Sequence, residues 1–251
     1  MRVVKIVFSP TGGTQKVADC LAKAWDQPTE QVDLSDPDLK PFQLDAEDLA
    51  LIAVPSFGGR VPGLAAQRLE RIQAHGTRCV LAAVYGNRAY EDILVELQDL
   101  AEARGFRVIA ALAAVAEHSI MHQYATGRPD QEDQKQLQEF AARIWEKVSR
   151  GEETVPSIPG NRPYKKAGGA AMVPKGNSHC VGCGHCVRRC PAQAISPETP
   201  RETDHAKCIS CMRCVVECPQ SARKVNGAMV AAAALAMKKV CSVRKDGELY
   251  L

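Results

Sequence analysis

The chain has 251 residues, 45% of them hydrophobic, 5% aromatic and 24% charged, with a formal net charge of +3. That length suits one large domain, or a mid-sized domain with a small companion, and so few aromatics argue against the stacking platforms of single-strand nucleic-acid binders. Met1-Arg-Val-Val-Lys-Ile-Val-Phe lacks the pattern of a signal peptide. The longest apolar run, Ala228 to Met237, is too short to cross a bilayer, so the expectation is a soluble cytoplasmic protein without membrane insertion.

Residues 2–8 are short, apolar and β-branched, and read as a buried strand. Ser9-Pro10-Thr11-Gly12-Gly13-Thr14 follows, and apolar residues at 17, 18, 21 and 25 then mark a helix over 15–25. Strand, hydroxyl-bearing glycine loop and helix N-terminus make a cradle of N–H and O–H donors for an anion. The loop has neither the Lys of a Walker A motif nor G-x-G-x-x-G, and a monophosphate fits it. Residues 30–34 read as the second strand and 49–54 as the third, which ends in Pro55-Ser56-Phe57-Gly58-Gly59-Arg60-Val61-Pro62. A helix is predicted over 63–74. The fourth strand, 79–85, ends in Gly86-Asn87-Arg88-Ala89-Tyr90. Residues 91–104 read as helix, 107–115 as the fifth strand and 131–149 as the last helix of the unit. Such alternation implies a parallel sheet with helices on both faces. Each unusual loop follows the carboxyl end of a strand, where open parallel sheets bind ligands.

With these loops in place, residues 1–150 resemble flavodoxin. Ser9-x-Thr11-Gly12-x-Thr14 looks like the phosphate loop of that family. The resemblance implies a doubly wound, five-stranded parallel sheet of order 2-1-3-4-5 and an FMN cofactor. Ser9, Thr11, Gly12, Gly13 and Thr14 would hold the phosphate, and Pro55, Ser56, Phe57, Gly58, Gly59, Arg60, Tyr85, Gly86, Asn87, Arg88 and Tyr90 would surround the ring. Phe57 and either Tyr90 or Tyr85 would face it, while Gly58, Gly59 and Gly86 would admit backbone N–H groups. Arg60 and Arg88 read either as stabilisers of a reduced flavin or as solvated surface residues. His118 reads as closing a loop hydrogen bond, with proton donation near the flavin as the alternative. Cys20 and Cys79 read as small core residues.

Residues 151–175, rich in Pro, Gly and charge, read as a linker. Then one spacing, C-x2-C-x2-C-x3-C-P, is written twice: Cys180, Cys183, Cys186, Cys190-Pro191, and Cys208, Cys211, Cys214, Cys218-Pro219. This is the bacterial spacing for iron–sulfur ligation, in which the fourth cysteine of each run ligates the other cluster. Cys180, Cys183, Cys186 and Cys218 are thereby assigned to one [4Fe–4S] cluster, and Cys208, Cys211, Cys214 and Cys190 to a second. Zinc takes four ligands in separated pairs and has no need of three cysteines in seven residues plus a fourth, twice over. Residues 176–225 resemble the bacterial ferredoxins with two [4Fe–4S] clusters, which implies a small α+β domain. Cys241 is left over and reads as structural. Residues 226–251 read as a helical tail, given their alanine content.

Residues 1–150 carry 17 Lys+Arg against 21 Asp+Glu, and residues 151–251 carry 15 against 8. Two clusters with thiolate ligands would cancel much of the second half's positive charge, and no nucleic-acid motif accompanies it. The remainder would steer an acidic redox partner. The whole looks like a flavodoxin-like protein fused to a ferredoxin, in the manner of ferredoxin-domain flavoproteins of anaerobic bacteria. That implies electron transfer between the clusters and FMN within one chain. The alternative is an FMN-dependent reductase of a quinone, metal or other small acceptor.

Overall fold

The computed structural model describes residues 1–168 and 172–251. Its first part alternates strands and helices: β1 (Val3–Val7), α1 (Gly13–Trp25), β2 (Thr29–Asp33), β3 (Phe42–Leu44), β4 (Leu49–Pro55), α2 (Gly63–Leu69), β5 (Ile72–Ala74), β6 (Arg78–Tyr85), α3 (Ile93–Glu102), β7 (Arg107–Val115) and α4 (Gln131–Ser149). β4, β6 and β7 are nearly continuous apolar runs, buried along almost their whole length. Strands covered on both faces demand that composition. Val17, Leu21 and Trp25 of α1 and Leu137, Phe140 and Ile144 of α4 cover one face, and the Trp25 and Trp145 rings stack with centroids 6.4 Å apart. Ala65 and Leu69 of α2 and Ile93, Leu94 and Leu97 of α3 cover the other.

The parallel strands run β2-β1-β4-β6-β7. β7 does not form the edge. The chain continues through β8 (Lys175–Gly176), α5 (His185–Arg189), α6 (Arg213–Val216), β9 (Arg223–Lys224), α7 (Gly227–Cys241) and β10 (Glu248–Tyr250). β10 pairs antiparallel with β7, Glu248 opposite Ala113 and Tyr250 opposite Ala111. The sheet therefore has six strands and is mixed, which corrects the five-stranded parallel expectation. An uncovered β7 would present a row of unpaired backbone groups, and β10 pairs with its middle, Ala111 to Ala113. The helix expected over 63–74 also needs correction. It ends at Leu69, and β5 pairs in parallel with β3. Ile72 and Ala74 are buried and Gln73 is exposed, a period of two that a helix cannot use.

Both segments without a strong sequence pattern are fastened to the first domain. The linker follows α3: Asn161 and Lys165 donate backbone N–H to the Asp92 carboxylate at 2.9 and 2.8 Å, and Arg162 and Tyr164 bond Asp99. Linker residues 169–171 lie outside the described residues. The tail is more than a helix. Ala234 and Cys241 of α7 pack with Met121 and Tyr124, Tyr124 donates its hydroxyl to the Ala234 carbonyl, and β10 then completes the sheet.

Two buried arginines join the cysteine-rich segment to the sheet domain. Arg68 of α2 donates to the Leu34 carbonyl at 2.8 Å and to the Pro191 carbonyl at 2.6 Å. Arg213 of α6 donates to the carbonyls of Pro10 and Ser9, each at 3.2 Å. The second cysteine run is thus seated on the loop that follows β1.

Candidate functional site

A cleft opens at the carboxyl ends of β1, β4, β6 and β7. It encloses about 510 Å³, its open mouth included, and is lined by Pro10, Thr11, Gly13, Thr14, Pro55, Ser56, Phe57, Val84, Tyr85, Gly86, Ala116, Glu117, His118, Ser119 and Cys211. At one end Gly12, with φ of 90°, turns the chain so that α1 begins at Gly13. The Ser9 hydroxyl accepts from the Gln15 N–H at 2.9 Å and fixes the loop against the helix. The first N–H groups of α1 have no partner within their own helix. With the hydroxyls of Thr11 and Thr14 beside them, they suit an anion. Gly13 approaches so closely that an added Cβ would stand 3.1 Å from that of Ala116.

The structure divides the residues expected around the ring. Pro55, Ser56, Phe57, Tyr85 and Gly86 line the cleft, whereas Gly58, Gly59, Arg60, Asn87, Arg88 and Tyr90 do not. Gly58 and Gly59, at φ of 63° and 86°, form the tight turn between Phe57 and Arg60, as successive positive φ values allow. Arg60 forms a two-pronged ion pair with Glu96 at 2.7 and 2.8 Å, and Arg88 does the same with Glu91. Asn87 donates to the carbonyls of Cys241 and Val243 at 2.7 and 2.8 Å. The Tyr90 hydroxyl is held by Glu248 and Tyr250. These four side chains are committed to the protein's own linker, tail and helices, where charged and polar groups find strong partners.

His118 stands over Gly86, where any added Cβ would fall 2.7 Å from its ring. Its Nδ1 accepts from the N–H groups of Ile120 and Met121, each at 3.2 Å, which puts the ring proton of the neutral form on Nε2. Burial, with the nearby His122 adding to it, pushes the imidazole down to about 4. Between the ordinary histidine pKa of about 6.5 and that lowered value, the unfolded chain binds a proton that the folded chain refuses. Stability should therefore fall as pH drops through this window. Urea unfolding of the wild type and His118→Gln checks this: the variant should lose less stability on acidification, and parallel losses would refute the assignment.

The eight cysteines of the doubled run form two rings. Cys180, Cys183, Cys186 and Cys218 line one small cavity, and Cys190, Cys208, Cys211 and Cys214 line another. Each ring takes three cysteines from one run and the fourth from the other. The two runs are built alike. Gly184 and Met212 cap the short helices α5 and α6 in the left-handed region, at φ of 69° and 64°. Burial pushes the Cys211 and Cys214 thiols up to about 12 and 11, and a bound metal centre would reverse that by stabilising thiolate. The remaining cysteines stand apart: Cys79 is fully buried in β6, Cys241 is buried at the end of α7 and Cys20 is half-buried on α1.

Cys211 belongs to both constructions, because it lines the second ring and the wall of the cleft. Sequence reasoning placed it only in the ring. Ala116, Glu117 and Ser119 were likewise not assigned to the cleft. The one signal for them was their position after a strand's carboxyl end; for Cys211 there was none, since the contact depends on how α6 docks.

Residues 179–223 match the model of the 4Fe-4S dicluster domain family. No curated protein matches the chain. Among solved structures, a flavodoxin of Streptococcus pneumoniae TIGR4 is similar at 17% identity, over 59% of this chain and 98% of that one, with a TM-score of 0.40. The rubredoxin oxygen:oxidoreductase of Desulfovibrio gigas is similar at 14% identity, over 59% and 36% of the two chains, with a TM-score of 0.42. An FMN-dependent NADH-azoreductase of Bacillus anthracis is similar at 12% identity, over 61% and 100%, with a TM-score of 0.38. The strand order and the loops at the strand ends make the first domain flavodoxin-like. Joined to a 4Fe-4S segment in one chain, it defines a redox protein. Among the described residues no helix is long and apolar enough to cross a membrane.

Proposed function

We propose that this chain is an electron-transfer protein that passes electrons between two [4Fe–4S] clusters and one FMN. The observation that carries this reading is the double position of Cys211, in the wall of the cleft and in a ring of four thiols. When bound, the clusters exchange single electrons and FMN holds one or two, so the chain would connect one-electron and two-electron partners.

The residues fit both groups. Each cavity offers four sulfur donors, the donor set that iron–sulfur clusters take, and His185 at the rim of the first is turned to Glu217. Cys180, Cys183, Cys186 and Cys218 would hold one cluster; Cys190, Cys208, Cys211 and Cys214 the other. In the cleft, Thr11, Gly13 and Thr14 would hold the phosphate, with Ser9 and Gly12 shaping the loop. Phe57, Tyr85 and Gly86 would bound the ring, and Pro55 and Ser56 its edge. Arg68 and Arg213 hold the two domains in register. A ring so docked needs no swing of the linker to bring it to the cleft.

The partner is an acidic redox protein, received at the first ring. Cys183 is exposed there, with Val181 exposed at 69% beside it. Arg188 and Arg201 reach in to the carbonyls of Cys183 and Cys180 from the surface. An apolar centre with cationic neighbours complements an acidic surface. Reversing both charges, Arg188→Glu with Arg201→Glu, should slow reduction by an acidic donor roughly tenfold at low salt and erase its salt dependence. An unchanged rate and salt profile would exclude this face.

Anaerobically purified protein tests the reading as a whole. Iron and sulfide near eight each and one FMN are expected, with flavin reduction following cluster reduction in rapid mixing. Bound zinc, or reduced clusters that exchange no electrons with the flavin, would overturn it. Steady turnover of a quinone would instead favour an FMN-dependent reductase.

A further inference from the structure

The two cysteine runs match residue by residue beyond their cysteines. Gln193 and Ser221, three residues after Cys190 and Cys218, turn at φ of 48° and 47°. Ala194 and Ala222 each donate N–H to the sulfur of the preceding Cys190 or Cys218, at 3.3 Å in both. Their carbonyls accept from Asp204 N–H at 2.8 Å and Asn177 N–H at 2.9 Å. The next residue is Ile195 in the first run and Arg223 in the second. Ile195 is buried at 4% exposure and Arg223 at 2%. An aliphatic side chain therefore satisfies this place in one copy, and the other copy buries a guanidinium there. Arg223 has no carboxylate partner among the described residues. Removing an unpaired charge from water is unfavourable by several kcal/mol, so packing alone does not account for it.

The surroundings of Arg223 do. It lines the cavity ringed by Cys180, Cys183, Cys186 and Cys218. Its Nη2 donates to the Pro174 carbonyl at 3.0 Å and to the Thr203 hydroxyl. Pro174 and Thr203 line the other cavity, with Cys190, Cys208, Cys211 and Cys214. Its Nη1 is held by the Pro200 carbonyl at 2.6 Å, while Nε is buried and has no partner among the described residues. One fixed cation therefore stands between two rings of sulfur with a donor still unused.

We propose that Arg223 is a positioning residue shared by both sulfur rings, whose charge offsets the thiolates and holds the reduction potentials of both clusters up together. This rests on the iron–sulfur reading above. A buried cation favours the more negative, reduced state of each neighbour. Replacing it with a neutral side chain should shift the reduction equilibrium of each cluster about tenfold toward the oxidised form, about 59 mV for a one-electron couple.

The experiment compares anaerobically purified wild type, Arg223→Gln, Arg223→Met and Arg223→Lys. Iron and sulfide are assayed first, and cluster potentials are then measured by EPR-monitored titration. The absence of clusters from the wild type would defeat the functional reading itself, a result separate from failure of this inference. Lower potentials at both clusters in the neutral variants, restored in Arg223→Lys, support the inference. So does loss of iron from the neutral variants with retention in Arg223→Lys. Full iron with unchanged potentials overturns it, as does a shift confined to one cluster. Loss of iron from all three variants also overturns it, because the side chain's shape and not its charge would then be what matters.

Discussion

Replacing Cys211 with serine should leave FMN bound and the sheet domain folded, yet cut electron exchange between the iron–sulfur segment and the flavin by at least about 10- to 100-fold. Cys211 is the residue that lines both the second sulfur ring and the cleft. A serine oxygen is a poor replacement for a soft thiolate toward iron, so the iron content should fall by about half. Cys20→Ser is the control, because Cys20 lies on α1 against the Gln134 carbonyl and lines neither ring. The comparison with Cys180→Ser is the discriminating one. That variant should also lose one cluster, but it leaves the ring beside the cleft intact, so flavin reduction by a small chemical donor should survive. Equal rates in wild type and Cys211→Ser, at wild-type iron content, would remove Cys211 from the electron path.

The largest effect on stability is expected at Asp133. Its carboxylate takes Nε of Arg128 at 2.8 Å and pairs with Nη2 of the same guanidinium, and the two side chains are exposed at only 7% and 4%. It also accepts from the Asp130 backbone N–H at 2.9 Å, which closes the capping box at the start of α4, and it meets Arg244 of the tail at 3.2 Å. Asp133→Ala strands the Arg128 charge in the interior and opens the helix cap together. A loss of about 3–5 kcal/mol follows from the first effect alone, with about 1 kcal/mol more from the cap. Chemical unfolding of the folded, cofactor-loaded protein measures it. The double variant Arg128→Met with Asp133→Leu should recover most of the loss, since an apolar pair of similar size tolerates burial. A drop below 1 kcal/mol in Asp133→Ala would show that Arg128 finds another partner. Acid should weaken the same corner. The Arg244 guanidinium beside Asp130 holds that carboxyl well below the usual carboxylate range. Its contribution is therefore complete above the unfolded-state pKa of about 3.9 and is lost as pH falls toward the folded value.

Much of the architecture was legible because strong physical patterns are local. Three uninterrupted apolar runs identified β4, β6 and β7, and eight cysteines in a repeated spacing identified the metal-binding segment. The glycine-rich loop after β1 marked one end of the cleft. What escaped depended on pairing at long range. β10 is three residues, Glu248-Leu249-Tyr250, with no alternation that sets it apart until β7 lies beside it. β5 was absorbed into a helix for the same reason, its period of two being too short to see without β3. The chemistry-bearing side chains at 60, 87, 88 and 90 looked like ligand contacts because they occupy the right loops. Glu96, Glu91, the Cys241 and Val243 carbonyls and the Glu248–Tyr250 pair had already claimed them, and a sequence does not reveal such distant partners. Arg223 was visible as a basic residue near the clusters. Only the match with Ile195 shows that it sits where water does not reach.

The return of the chain to β7 changes what kind of insertion the cysteine-rich segment is. It does not hang from the end of a finished sheet; it interrupts one, lying between the fifth and sixth strands to be synthesised. During translation the β7 edge stays bare until the cysteines and α7 have emerged, and a bare edge is a template for pairing with other chains. Closing the sheet then means bridging more than 130 residues, from Val115 to Glu248. A metal-assembled segment shortens the flexible part of that span and lowers the entropy lost on closure. Cofactor maturation and completion of the sheet are thereby coupled, so a shortage of iron would be felt first at an edge strand far from any cysteine.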